Sequence, residues 1–451
     1  MRLLLVLFFP LLGIFDFARG DGSANIGFII LIVPIFFILI TELIIKPITN
    51  NGLLSLGLPR QMVNSESRYF KVLTLFIIVM IIGIFRSVYI GTRDLISGFG
   101  EVTIIFSIFI FLFLVIIDGI RKNYFDSIIF YVGNSLFGLL LLNILGVVLK
   151  IENSGLSANY DKEISNVFVF MGNRLQFPFS TSGQLLAIQA GAVMIFGVFR
   201  GVNAKDLFHR LLGLLMILSA SFVLVGQGGR ASILLTFASV IFLLFGRLSR
   251  PFLFPILTLF LLFPLLVLIN FGAIVENVFG MIGIDFTRHS GDVASFSNRD
   301  IIYASTLASF ITQGDNISIL FGYGSFGQVT SGISEIYSFL FNNSYSNPDD
   351  MPVHNTILQI LVDFGVLGVC LFVFIVLRLT QLSKSTADYR RKLGVINYNK
   401  NIYLTLLFFI LGSSMTEVSI TYYSFGLFSL FLVVSMLIVF DRINLKFRSL
   451  N

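Results

Sequence analysis

The sequence predicts an all-α polytopic membrane protein, and three observations carry the prediction. Of 451 residues, 56% are hydrophobic and only 12% charged, and the mean hydropathy is +0.94. That is more apolar surface than a soluble core of this length can enclose. Apolar runs recur at about the 20 residues a helix needs to cross a bilayer. Their hydrophobicity is continuous rather than alternating, which excludes a β-barrel.

Taken in order, the runs give about 12 transmembrane helices, near 2–16, 26–45, 72–90, 101–117, 127–149, 181–199, 211–226, 231–246, 251–269, 353–377, 401–417 and 422–440. The start, Met1-Arg2 before an apolar run, has the look of a signal sequence. It lacks a small-residue cleavage site, so an uncleaved first helix is expected. With both termini cytoplasmic, 21 of the 30 Lys and Arg fall in inside segments and eight in outside ones. This is the bias expected of correctly oriented spans. The net charge of +6 is therefore read as topology, and no nucleic acid is expected as a partner. The single Cys370 lies in an apolar run and permits no intrachain disulfide. No fixed-period repeat is present. The chain divides into helices 1–9 over 1–269, a large external loop over 270–352, and helices 10–12 over 353–451, all in one membrane domain.

The threading places the loop on the non-cytoplasmic side. Its eight acids stand against only two arginines, Arg288 and Arg299. Ser297-Asn298-Arg299-Asp300 has capping-box-like spacing ahead of a run able to form about three helical turns. Arg299 then lies in the first turn, where N–H groups and a guanidinium converge on an anion. The bland alternative is that it pairs with Asp300. Gly322-Tyr323-Gly324-Ser325-Phe326-Gly327 spells G-x-G-x-x-G, but without a surrounding βαβ unit it reads as a glycine turn between short helices. Residues 331–341 form a candidate amphipathic helix on the lipid surface, or a patch packed on the spans below.

His354 follows Pro352 at the start of the tenth span, where proline suits a helix opening. A lone His is often only structural, but this one shares a face with Arg299 and Arg230. Asp363 lies roughly 13 Å deeper along the same span and wants a hydroxyl or Arg partner. Gly226-Gln227-Gly228-Gly229-Arg230 is a sharp external turn whose glycines admit a close backbone or ligand. Arg230 there calls for an anion, either a phosphate or a carboxylate such as Glu417. Arg86 either snorkels outward or helps a cavity. With three His and no Cys/His cluster, a zinc site is not expected. No D-x-D pair or nucleotide domain is present either, so no cofactor is expected and the energy for chemistry must come with the substrate.

The order Gly-Gly-Arg230-Ala-Ser, Asn298-Arg299-Asp300, Gly322-x-Gly324-x-x-Gly327 and His354-Asn355-x-x-Leu358-Gln359-x-Leu361-x-Asp363-x-Gly365-x-x-Gly368 resembles the O-antigen ligase/polymerase superfamily over roughly 210–375. The His-Asn stretch is its most specific part. Asp363 stands where that family more often has Glu, and Tyr303 where ligases often have Trp. The resemblance implies a bacterial inner (plasma) membrane enzyme with its active site facing the periplasm. It implies undecaprenyl-diphosphate-linked oligosaccharide as substrate, membrane lipid as surroundings, and a chain-length regulator protein as a partner. It further implies His354, Arg299 and Arg230 as catalytic residues: the arginines on the diphosphate, the histidine on the acceptor hydroxyl. Arg288, Tyr303, Gly322, Gly324, Asn355 and Arg86 are the candidate substrate-binding residues. The expected activity is polymerisation of lipid-linked repeat units. The alternatives are a ligase on the same scaffold and, from another class, a flippase for lipid-linked sugars. Against the flippase stand the lack of internal repeats and the gathering of motifs on one face.

Overall fold

The structure is a computed structural model and describes residues 2–20, 60–151, 175, 177–180, 183–204, 206–245, 253–269, 298–342, 348–392, 401–421 and 424–448. Among them every regular element is helical. The long apolar elements are α1 (Arg2–Gly20), α2 (Arg60–Ile90), α3 (Leu95–Arg121), α4 (Ile128–Val148), α5 (Gly183–Asn203), α6 (Leu207–Gln227), α7 (Arg230–Leu244) and α8 (Leu253–Leu268). Four short elements follow: α9 (Arg299–Gln313), α10 (Asn316–Phe321), α11 (Gly327–Thr330) and α12 (Ile333–Tyr337). The chain then returns to long helices in α13 (Thr356–Lys392), α14 (Asn401–Ser413) and α15 (Phe425–Arg448). Eleven of the twelve expected segments fall on helices; the stretch 26–45 lies outside the described residues.

Among the described residues six helices are long and apolar enough to cross a membrane, and five further apolar helices run 10–17 residues. The chain is an all-α membrane protein. Its surface pattern fits that solvent. Leucines and phenylalanines on α6 and α7 (Leu214, Leu215, Leu218, Leu234, Phe237) face outward, while Asn143, Gln189, Thr236 and Ser239 are buried. Where lipid replaces water, apolar burial no longer drives helix association, and small or hydrogen-bonding residues form the contacts instead. The α5–α6 pair shows this: a Cβ on Gly197 would come within 2.8 Å of the Gly213 carbonyl, and the reverse holds equally. α15 is buried along most of its length, with Leu427, Leu430 and Val434 at 0% exposure.

Two departures from the expected boundaries shape the site. α14 stops at Ser413 rather than near 417. The sequence there is Gly412-Ser413-Ser414-Met415-Thr416, and hydroxyls compete with helix geometry by bonding the backbone locally. Ser414 Oγ donates to the Ile410 carbonyl at 2.7 Å, and a turn follows through Glu417. α13 runs to Lys392 but is broken at Gly365, whose φ of 66° and ψ of −167° are non-helical.

Candidate functional site

Three chain-distant segments meet at one end of the bundle: the start of α9, the residues leading into α13, and the turn after α14. Arg299 is the first residue of α9, as the sequence suggested, and the helix runs 15 residues. The expected capping box does not form the cap. Asn298 is the N-cap, in left-handed conformation and without a side-chain cap bond, and Ser297 lies outside the described residues. Arg299 does not turn to Asp300. Its Nη2 donates to Glu417 Oε1 at 2.8 Å and to the Thr416 carbonyl at 3.0 Å. The other oxygen, Glu417 Oε2, lies 3.2 Å from His354 Nδ1. One carboxylate thus joins the two residues the sequence singled out. All three side chains are largely buried, 15% exposed for Arg299 and His354 and 9% for Glu417.

His354 does not open the helix. It sits two residues before α13 at φ 55°, a left-handed value. Its ring lies against Phe341 with centroids 5.5 Å apart and planes 29° from parallel. Pro352 is likewise outside the helix; the helix start is made by Asn355. Its Oδ1 accepts from Leu358 N at 3.0 Å, the N-cap bond, while its Nδ2 donates to the Met415 carbonyl at 2.8 Å. Thr356 continues the seam, its N–H on the Ser414 carbonyl and its hydroxyl on the Glu417 carbonyl. Tyr303 is fully buried, and its hydroxyl faces the carbonyls of His354 and Met415 at 3.0 and 3.1 Å. Burial pushes its phenol well above the ordinary range; Arg299 opposes this and Glu417 adds to it. A neutral donor holding two carbonyls is the result. Tyr303 and Asn355, expected to bind substrate, are in this geometry braces that lock α9 and α13 onto the 414–421 turn.

Arg230 begins α7 directly after the expected sharp turn. Gly228 ends α6 in left-handed conformation. The close backbone admitted by the glycines is that of Leu175, whose N–H bonds the Gly226 carbonyl at 2.9 Å. α7 packs antiparallel to α14: Leu235 lies against Gly412, and Phe242 stacks on Phe408 at 5.0 Å. That direction carries the Arg230 end of α7 to the end of α14 from which Glu417 follows. Glu417 itself is held by Arg299 and His354.

The glycine motif makes close backbone contacts. Breaking α13 at Gly365 frees the carbonyls of Val362 and Asp363. Inside a membrane such groups must be satisfied by protein. Tyr323 N–H takes the first at 2.7 Å and Gly324 N–H the second at 2.9 Å. Gly322 has φ 75° and lies against the Asp363–Phe364 backbone, where a Cβ would clash. Gly324, at φ 98°, lies against Ser87 and the Gly83 carbonyl of α2. Arg86 does not snorkel: it donates to the Gly322 carbonyl and, at 3.0 Å, to Ser318 Oγ. Asp363, for which a hydroxyl or Arg partner was expected, meets a backbone N–H and a side-chain amide. It accepts from Gly327 N at 2.8 Å and Gln359 Nε2 at 2.9 Å. Gly322, Gly324 and Arg86 thus rivet the loop to α2 and α13. The expected amphipathic helix is short, α12 followed by a 3-10 turn. It buries Ile333 and Tyr337 while Ile336 and Phe339 point out. Arg288 lies outside the described residues.

The residue that sequence reasoning passed over is Glu417, weighed there only as a partner for Arg230. Its signal was present: an acid at the end of an apolar run, at the level of the external motifs, needs a cation. Among the described residues no group of three or more His, Cys, Asp or Glu could hold a metal ion. No curated protein matches the chain. Residues 214–373, from within α6 to within α13, match the family model described as O-antigen ligase. That span includes Arg230, Arg299, the glycine motif and His354, and over it the chain is similar to the O-antigen ligase/polymerase superfamily.

Proposed function

We propose that this protein is a polysaccharide polymerase at the outer face of the bacterial inner membrane. It transfers a growing glycan from undecaprenyl diphosphate onto the next lipid-linked repeat unit, building O-antigen or capsular polysaccharide. The observation that carries the reading is the junction of Arg299 and His354 on Glu417, at the end of the bundle to which α7 brings Arg230. It sets a base beside a cation, the pairing a diphosphate leaving group needs. The acceptor hydroxyl oxygen forms a bond to the anomeric carbon of the donor sugar, whose bond to the diphosphate oxygen breaks. The hydroxyl proton passes to His354, and undecaprenyl diphosphate leaves with the bonding pair. General-base catalysis of this kind contributes about 10²–10⁴-fold. Arg299 and Arg230 neutralise the charge growing on the diphosphate, a further 10²–10³-fold or so per donor lost. The twelve-span threading with cytoplasmic termini belongs to the same reading, as does the loop 270–352 as a cover over a lipid-level cavity. So do a donor that needs no metal or nucleotide, and a chain-length regulator as partner.

The second reading is a ligase that moves the finished glycan to lipid A–core. The description of the matching family model favours it. Deletion in the native host separates the two. Loss of a polymerase leaves single-repeat glycan on the acceptor, whereas loss of a ligase strands long chains on undecaprenyl diphosphate. Lipid-linked repeats accumulating on the inner face would instead overturn both and support a flippase. Arg299→Ala and His354→Ala should each reproduce the deletion while the protein stays in the membrane; full activity in both removes the site.

A further inference from the structure

Glu417 has two oxygens and two different customers. Oε1 receives Arg299 Nη2 and Oε2 faces His354 Nδ1. A carboxylate can only accept hydrogen bonds and a guanidinium can only donate. The shared carboxylate therefore requires a proton on Nδ1, and in the neutral ring this leaves Nε2 with its lone pair. Nε2 is buried and has no hydrogen-bond partner among the described residues. A half-turn of the ring, which would put Cδ2 in the place of Nδ1, is opposed by its packing. Phe341 lies against its face, and the backbone beneath it is held through the Tyr303 hydroxyl on the His354 carbonyl.

We propose that Glu417 is the positioning residue of the site: it holds His354 in the Nδ1–H tautomer, with Nε2 presented as the base toward the acceptor sugar hydroxyl. This rests on the reading of His354 as the base. Glu417 touches no reacting atom; it acts through His354, and it ties the base to the arginine that meets the diphosphate. One junction thus fixes the spacing between acceptor activation and leaving-group stabilisation.

The near-isosteric variant Glu417→Gln separates this role from simple packing. Gln offers one carbonyl oxygen and one NH₂ group. Arg299 cannot accept, so the carbonyl must face Arg299 and the NH₂ must face His354 Nδ1. The amide then donates to Nδ1, and the ring proton moves to Nε2. Size, the Arg299 contact and burial are all kept, but the base is blocked. Fixing a catalytic imidazole in the wrong tautomer costs on the order of 10⁴-fold in serine proteases. Here the loss is expected to match that of His354→Ala, about 10²–10⁴-fold.

The test is ¹⁵N solid-state NMR on the full-length protein, ¹⁵N-labelled at its three histidines and reconstituted in lipid bilayers, with His354 assigned by loss of its signals in His354→Gln. The wild type should show a protonated Nδ1 and an unprotonated Nε2 near neutral pH, and Glu417→Gln should show the reverse. A wild-type ring that carries a proton on Nε2 near neutral pH, alone or together with one on Nδ1, overturns the proposal; so does a Glu417→Gln ring that keeps Nδ1–H. The wild-type spectrum decides the matter even if the variant fails to accumulate. In parallel, complementation of the host deletion reads the surface glycan. Glu417→Gln failing as completely as His354→Ala supports the positioning role, and wild-type glycan from Glu417→Gln overturns it. If His354→Ala itself complements fully while the tautomers behave as stated, the base reading falls and the Glu417–His354 geometry stands.

Discussion

Gly365→Ala is the sharpest test of how the loop is held to the membrane helices. Gly365 has φ 66° and ψ −167°, a region essentially reserved for glycine, and holding alanine there costs about 1–3 kcal/mol. Its Cβ would also meet the backbone of Leu320 and Gly322. Neither is the flexible end of a side chain, so overpacking adds about 1–3 kcal/mol more. Together this is about 2–6 kcal/mol, enough to expel the glycine turn from its seat on α13. The Tyr323–Val362 and Gly324–Asp363 hydrogen bonds would go with it. Gly332→Ala is the matched control: φ is also positive, at 71°, but nothing lies within 4 Å of the added Cβ. It should cost only the backbone term, about 1–2 kcal/mol. The assay is hydrogen–deuterium exchange of 318–328 in purified protein, with thermal aggregation in detergent beside it. Gly365→Ala should raise exchange across the whole turn and lower the aggregation temperature well beyond Gly332→Ala. Equal behaviour of the two variants would refute the claim that the motif is a seat against a broken helix.

Three further outcomes follow from the same contacts. Tyr303→Phe removes a donor to the carbonyls of His354 and Met415; Met415 keeps Asn355 Nδ2, and the loss at the His354 carbonyl should cost about 1–3 kcal/mol, read as a lowered unfolding temperature, with membrane insertion unchanged. Asn355→Ala loses an N-cap worth about 1 kcal/mol together with its bond to Met415, so exchange should rise at 355–359 and at 414–419 together. Asp315 caps α10, and hydrogen bonds from the Ser318 hydroxyl and N–H hold its carboxyl below the usual range. A depressed folded-state value means the cap stabilises α10 above the unfolded value of about 4 and is lost as pH falls through the lower folded value. Exchange of α10, corrected for intrinsic rate, should therefore climb on acidification below about pH 4, and Asp315→Asn should flatten that dependence.

The fold class was legible because composition alone decides it: a chain this apolar has no soluble solution, and eleven of the expected segments lie on helices. Arg299 and His354 were legible because their surroundings are local, a first helical turn and a run into an apolar span. Glu417 was not placed, because its role depends on α14 ending four residues before it. That ending is set by competition between serine hydroxyls and helix geometry, which hydropathy does not register. The glycine motif was legible as a turn between short helices, and its seat was not, for a related reason. G-x-G-x-x-G states that a backbone must come close to something; only the break in α13 shows that the something is the backbone of Val362 and Asp363. The contact of Arg86 was hidden for the same reason, since its carbonyl partner is in place only once Gly322 is seated.

The strained positions say which part of this framework is held against its own preference. Of the five described non-glycine residues with positive φ, three are Asn298, Phe326 and His354. Asn298 immediately precedes Arg299, Phe326 lies in the glycine turn, and His354 is the histidine itself. Asparagine and histidine enter the left-handed region more often than most residues, but it still carries a cost, which persists where the surroundings over-determine it. At His354 they do. The carbonyl faces Tyr303, the ring lies against Phe341, Nδ1 faces Glu417, and the next residue caps α13 while bonding Met415. A helical or extended backbone at 354 would point the ring elsewhere and leave Glu417 with Arg299 alone. Packing by itself has no need of that arrangement, since α13 is already capped by Asn355. The backbone strain therefore aims one imidazole at Glu417 and is not needed to start the helix that His354 precedes.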